Sequence, residues 1–188
     1  MRSMFHSWEN REIPGPDFVK QAAKQAIDAD LNQYAISSGA TRLKEQIAID
    51  YSAALGREID PMREVVVTNG ATEAIFDAAL AFAGAGDEIV AFEPFYDSYP
   101  ASAALAGATF VPVRLNPPDW RFDPDVLADA ITPRTRFLLL NTPHNPTGKV
   151  FSRQELESIA KLAIERDIMV ITDEVYDRIT FAPAEHIP

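Results

Sequence analysis

Residues 137–172 read FLLLNTPHNPTGKVFSRQELESIAKLAIERDIMVIT, and this stretch decides the fold class. It opens on a short apolar run, Phe137–Leu140, and ends on another, Met169–Thr172. Both runs are nearly continuous rather than alternating, as strands buried on both faces of a parallel sheet read. Between them Ser152-Arg153-Gln154-Glu155 has the form of a capping box, and Leu156, Ile159, Ala160 and Ala163 fall on one helical stripe. The order strand, helix, strand is a βαβ unit.

The same alternation extends toward the N-terminus. Val65–Thr68, Ile89–Phe92 and Thr109–Val113 are further strand-like runs. Ile75, Phe76, Ala79, Leu80 and Ala83 share a helix face, and Gly84 offers a stop. Asp123 followed by Pro124 supplies an N-cap and a first-position proline ahead of Leu127 and Ile131. The expected fold is therefore α/β, a mostly parallel open sheet with helices on both faces. Pro112 has no N–H to give a ladder, so the 109–113 strand is expected at a sheet edge. Before Val65 the pattern is helical. Phe18, Ala22 and Ala26, with Val19, Ala23 and Ile27, form a stripe after Gly15-Pro16, and Leu43, Ile47, Tyr51 and Leu55 form a second. Asn32-Gln33-Tyr34 and Ser37-Ser38-Gly39 make a polar connection between them. Residues 1–40 read as an N-terminal arm leading into the sheet domain of residues 41–188.

Composition narrows the function. Hydrophobic residues are 47% and charged residues 24% of the 188, the balance of a globular chain. A net charge of −11 repels phosphate backbones and argues against a nucleic-acid partner. No apolar run approaches the roughly 20 residues of a membrane span, and MRSMFHSWENR carries charge where a signal peptide needs an apolar stretch. With no cysteine there is no disulfide or thiolate metal site, and His6, His144 and His186 are not paired at metal-ligand spacing. The expectation is a soluble, cytoplasmic protein. Gly84-Ala85-Gly86 lacks the third glycine of a dinucleotide fingerprint and precedes a strand, and no P-loop is present.

The informative segments sit at strand ends, where open α/β sheets bind ligands. After the first run comes Thr68-Asn69-Gly70-Ala71-Thr72-Glu73, a tight turn into a helix N-terminus that suits a phosphate; a plain β–α turn with Thr72 as helix cap also explains it. After the second comes Glu93-Pro94-Phe95-Tyr96, where an aromatic can stack on a planar ring or simply join the core. After the fourth comes Asn141-Thr142-Pro143-His144-Asn145-Pro146-Thr147-Gly148, a rigid turn that fixes the Asn145 amide. After the fifth comes Thr172-Asp173-Glu174-Val175-Tyr176, where Asp173 leaves a buried strand and needs a cationic or hydrogen-bonding partner. Taken together they offer a phosphate cradle, a stacking surface, an amide with a phenol, and a carboxylate. One ligand uses all four: pyridoxal 5′-phosphate, whose pyridinium proton the carboxylate would hold.

TNGATEAI, EPFYDSY, NTPHNPTGKVF and ITDEVY resemble the class I/II aminotransferases of pyridoxal-phosphate fold type I, most of all the branch with kynurenine and methionine aminotransferases. The resemblance runs from about Pro14 to Phe181. It implies an amino-group transfer between an α-amino acid and a 2-oxo acid, in a cytoplasmic homodimer. It also implies that residues 1–40 are an arm or small-domain segment and residues 41–188 an incomplete large domain. It matches Gly70, Ala71 and Thr72 to the phosphate cup and Tyr96 to the ring-stacking aromatic. Asn145 and Tyr176 match the partners of the ring oxygen, and Asp173 the pyridinium partner. Tyr34 matches a residue that reaches the active site of the other subunit.

The sequence also departs from that family. The family's Schiff-base lysine lies well beyond the Asp-Glu-Val-Tyr motif, whereas the lysines here are Lys20, Lys24, Lys44, Lys149 and Lys161. Lys149 closes the Asn-Pro-Thr-Gly-Lys turn and reads as structural or surface. The arginine that binds the substrate carboxylate is absent as well, and His6–Ile13 lacks the glycine of the family's first loop. The expectation is the N-terminal half of an aminotransferase, inactive alone. A fold type I C–S lyase fragment and a non-catalytic remnant share every motif quoted. In such a half the strand at Val65–Thr68 is expected to lack its neighbour, and the other four to follow the order 109–113, 89–92, 137–140, 169–172.

Overall fold

The computed structural model describes residues 14–188; His6–Ile13, with the departure noted there, lies outside them. Four strands form one parallel sheet: β1 (Glu88–Glu93), β2 (Thr109–Arg114), β3 (Thr135–Asn141) and β4 (Met169–Asp173). Their order is β2-β1-β3-β4, the order expected from the sequence, with Pro112 on edge strand β2 where a missing donor costs nothing on the outer side. Six helices accompany them: α1 (Asp17–Asp28), α2 (Thr41–Leu55), α3 (Ala71–Phe82), α4 (Ser98–Ala106), α5 (Pro124–Ala130) and α6 (Arg153–Arg166). The capping signals are realised. Ser152 Oγ accepts from the Glu155 N–H at 3.3 Å while Glu155 Oε2 accepts from the Ser152 N–H at 2.9 Å, and Asp123 Oδ1 accepts from the Asp125 N–H at 2.9 Å. No helix of the described residues is long and apolar enough to cross a membrane.

Because side chains alternate across a strand, each strand feeds two cores. Val90, Phe92, Leu138 and Leu140 pack against Leu127, Phe151 and Ile159 on the face covered by α5 and α6. Ile89, Ala91, Phe137 and Leu139 pack against Ile75 and Ala79 of α3 and Tyr99 and Ala103 of α4 on the other. This is why β1 and β3 show no polar alternation: neither face meets water.

Several expectations need correction. Val65–Thr68 lacks a neighbour in the sheet, as expected, and is therefore not a strand at all; Val67 N–H instead donates to the Ser38 carbonyl at 2.9 Å, and Val66 stays 67% exposed. The stripes of α1 and α2 form on helices, yet they face outward: Phe18, Val19, Ile27, Leu43, Tyr51 and Leu55 are exposed, while Lys44 and Ala48 are buried. On α3 only Ile75 and Ala79 of the expected face are buried, and Leu80 is half open. Helix α4 has no counterpart in the sequence reading, because SYPASAALA is built of small residues that trace no stripe. Gly107, at φ +79°, ends it in the left-handed conformation that favours glycine.

Burial makes a sharp distinction between Leu138 in β3 and Leu80 on α3. Leu138→Ala is expected to lower unfolding stability by about 2–5 kcal/mol in urea titrations, whereas Leu80→Ala is expected to change it by no more than about 0.5 kcal/mol.

Candidate functional site

The register of β3 and β4 sets the site. Asn141 lies opposite Asp173. Phe137 and Leu139 precede Asn141 on its own face, and Ile171 precedes Asp173. Two polar side chains thus emerge together where two apolar strands end, on the face carrying α3 and α4. Asn141 Nδ2 donates to the Asp173 carbonyl at 2.9 Å, and its Oδ1 accepts from the Asn145 N–H at 2.6 Å. Asp173 is 9% exposed. Its Oδ2 accepts a 2.6 Å hydrogen bond from the Tyr99 hydroxyl, and its Oδ1 accepts a 3.4 Å bond from the Val175 N–H. Burial, then the hydrogen bond to Asp173, pushes the Tyr99 hydroxyl far above the ordinary tyrosine range, so it remains a proton donor.

Helix α3 starts at the cleft that this carboxylate lines. Gly70, not Thr72, is its N-cap, at φ +85°, with open space where a Cβ would stand. Thr68 Oγ1 donates to the Gly70 carbonyl at 2.9 Å, and the Glu73 carboxylate accepts from the Asn69 N–H, which fixes the turn. No side chain caps α3, so the N–H groups of Ala71 and Thr72 are left for an anion. Ala71, Thr72, Tyr96, Asn145, Asp173 and Tyr176 line one cleft of about 260 Å³. Gly70, the N-cap residue before Ala71, is not among the lining residues. Tyr34 does not line it and is fully exposed. The sequence reading missed Tyr99 and Asn141 as members of the cleft. Asn141 carried a signal, being the first polar residue after an apolar run; Tyr99 carried none beyond its place in EPFYDSY. Helix donors, a half-buried aromatic, an amide with a phenol and a buried carboxylate can hold a flat nitrogen heterocycle that bears a phosphate. None of the five lysines lines the cleft.

Two rim loops are clasped by His144. Its Nδ1 lies 2.8 Å from Thr147 Oγ1 within the β3–α6 loop, and the ring also hydrogen-bonds the Pro94 backbone after β1. Lys149, read from the sequence as structural or surface, is structural: its Nζ is 2.7 Å from Glu155 Oε1 and 4.8 Å from the Phe151 ring centroid, with the side chain buried. Burial and the Lys149 charge lower the His144 pKa from 6.5 to about 4. The unfolded chain therefore binds a proton at a higher pH than the folded one, and stability falls as pH drops from about 6.5 toward 4. His144→Gln is expected to flatten that slope, removing a pH dependence on the order of 3 kcal/mol in denaturant titrations across this window.

Comparison with known proteins identifies the family. A family model described as aminotransferase class I and II matches residues 9–188. The probable N-succinyldiaminopimelate aminotransferase DapC of Mycobacterium tuberculosis is 47% identical over 176 residues, covering 93% of this chain and 44% of that protein. Human kynurenine–oxoglutarate transaminase 1 is 41% identical, with 94% of this chain and 45% of the relative covered. Among solved structures, the Escherichia coli protein YbdL, described as having a methionine aminotransferase function, superposes with a TM-score of 0.89 at 35% identity over 93% of this chain and 46% of its own. The chain thus spans about half the length of the relatives it matches. It belongs to the class I and II aminotransferases, whose members depend on pyridoxal phosphate.

Proposed function

We propose that the cleft at the carboxyl ends of β3 and β4 holds pyridoxal 5′-phosphate for an amino-group transfer between an α-amino acid and a 2-oxo acid. The observation that carries this is the placement of Asp173: a buried carboxylate lines the same cleft of about 260 Å³ as an uncapped helix N-terminus. In this reading the N–H groups after Gly70, at Ala71 and Thr72, receive the phosphate. Tyr96 would cover the ring, Asn145 and Tyr176 would donate to its oxygen, and Asp173 would accept a hydrogen bond from the protonated ring nitrogen. When bound, the cofactor supplies an electron sink for the pair left at a substrate α-carbon. The protein's part is to keep that nitrogen protonated and the ring immobile, and Asp173 does the first with no water-exposed carboxylate required.

The relatives' names differ in the amino acid but agree in amino-group transfer, and that common reaction class is the reading proposed here. The reading extends to a cytoplasmic homodimer, with residues 1–40 as its arm. Support for the dimer is the outward apolar stripe of α1 and the fully exposed Tyr34, which buries nothing within its own chain.

Titration of the chain with pyridoxal phosphate is expected to give a saturable absorbance change. Asp173→Asn is expected to weaken binding about tenfold or more, with the far-UV circular dichroism unchanged. Unaltered affinity in that variant would remove the basis for the proposed role.

A second outcome concerns turnover. With no lysine on the cleft to take up the α-proton, the 188-residue chain is expected to bind the cofactor without transaminating any amino acid and 2-oxo acid pair. Coupled assays of 2-oxo acid formation on a homogeneous sample provide the check.

A further inference from the structure

Asp173 is held in an unusual way for a buried acid. Among the described residues no lysine or arginine lies within ion-pair distance of it; its side-chain partners are the Tyr99 hydroxyl and the Val175 N–H. A buried carboxylate ordinarily takes a cation, because an isolated charge in an apolar surround is costly. A cation there would neutralise the carboxylate and compete with any positively charged ligand group. A neutral donor orients the carboxylate and leaves its charge free. We propose that Tyr99 is a positioning residue for Asp173: its hydroxyl fixes the carboxylate so that it meets the protonated ring nitrogen of pyridoxal phosphate as an oriented anion. This rests on the reading of Asp173 given above.

The packing supports the assignment. Tyr99 is 3% exposed and sits in the α3/α4 core with Ile75 and Ala103, so its ring cannot swing away. It stands at the first turn of α4, 74 residues from Asp173 in sequence, and its hydroxyl reaches past the core to the last residue of β4. At 2.6 Å the contact is a charge-assisted hydrogen bond. Asn141 does not duplicate it, since its amide binds the Asp173 carbonyl and leaves the carboxylate alone. Tyr96, the proposed ring cover, meets Tyr99 edge-on with centroids 6.0 Å apart, so one phenol borders both the ring cover and the carboxylate.

The test uses the full chain with ring-¹⁵N-labelled pyridoxal phosphate, read by affinity and by the ¹⁵N shift of the bound ring against pH. Wild type, Tyr99→Phe, Asp173→Asn and the double variant are compared. Tyr99→Phe is expected to weaken binding about five- to tenfold and to lower by about one unit the pH at which the bound nitrogen loses its proton. In the Asp173→Asn background the same change is expected to alter affinity less than about twofold, which a merely structural role would not produce. Equal affinity and equal midpoints in wild type and Tyr99→Phe would overturn the proposal, as would a loss undiminished by Asp173→Asn. An Asp173→Asn protein identical to wild type would instead overturn the reading of Asp173 itself, and chain that takes up no cofactor would overturn the reading of the cleft. If Tyr99→Phe does not fold, Tyr99→3-fluorotyrosine supplies a stronger donor of nearly the same shape. The midpoint is then expected to rise, and an unmoved midpoint counts against the proposal.

Discussion

Asn141 and Asp173 are neighbours only because β3 and β4 pair in one register, and the two cores on either side of the sheet enforce it. Phe137 and Leu139 must enter the α3/α4 core while Leu138 and Leu140 enter the α5/α6 core. A slip of one residue would exchange the two sets and turn Asp173 toward α6, away from Tyr99 and from the start of α3. The apolar runs therefore do more than stabilise the sheet. They aim the polar residues that follow them, and a cleft needing angstrom-scale placement inherits its accuracy from well-packed leucines and phenylalanines.

The electrostatics of the cleft are assembled from groups with little mobile charge. The chain carries a net charge of −11, and among the described residues no lysine or arginine lines the cleft. In the proposed reading, attraction for a phosphate comes from the uncapped N–H groups of α3, which are fixed in direction and cost no side-chain entropy to order. The Asp173 carboxylate in the same cleft is likewise held by neutral donors. Opposite partial charges thus line one cleft, a polarity that favours a ligand with an anionic end and a protonated end.

Much of this was legible in the sequence, and the failures have physical causes. β1 to β4, the edge position of Pro112 and both capping motifs depend on local chemistry or on which residues tolerate burial, and these are written in the residue types; the strand order was implied by the family resemblance. Val65–Thr68 has strand composition but no strand, because a strand is a relation to a neighbour and composition describes one partner. The stripes of α1 and α2 show where apolar residues align, without showing what covers them; a fully buried lysine, Lys44, sits beside an exposed Leu43. The strand-end motifs pointed at the cleft because polar residues after buried runs are conspicuous. Tyr99 was invisible, since its meaning arises from a contact with a residue 74 positions away.

The link between the helical arm and the sheet is narrow. Val67 N–H bonds the Ser38 carbonyl, Lys44 Nζ bonds Ser38 Oγ at 2.7 Å, and a Cβ on Gly39 would fall 2.5 Å from Val67 Cγ2. Gly39, at φ +114°, is thus required twice, by its backbone angle and by the valine pressed against it. Since Val67 leads within three residues to Gly70, this small latch settles where α3 begins. Anyone grafting the cleft onto a new scaffold would have to carry it from Ser38 onward: cut at β1, the transplant would keep every cleft residue from Tyr96 to Tyr176 and lose the datum from which the anion-facing end is measured.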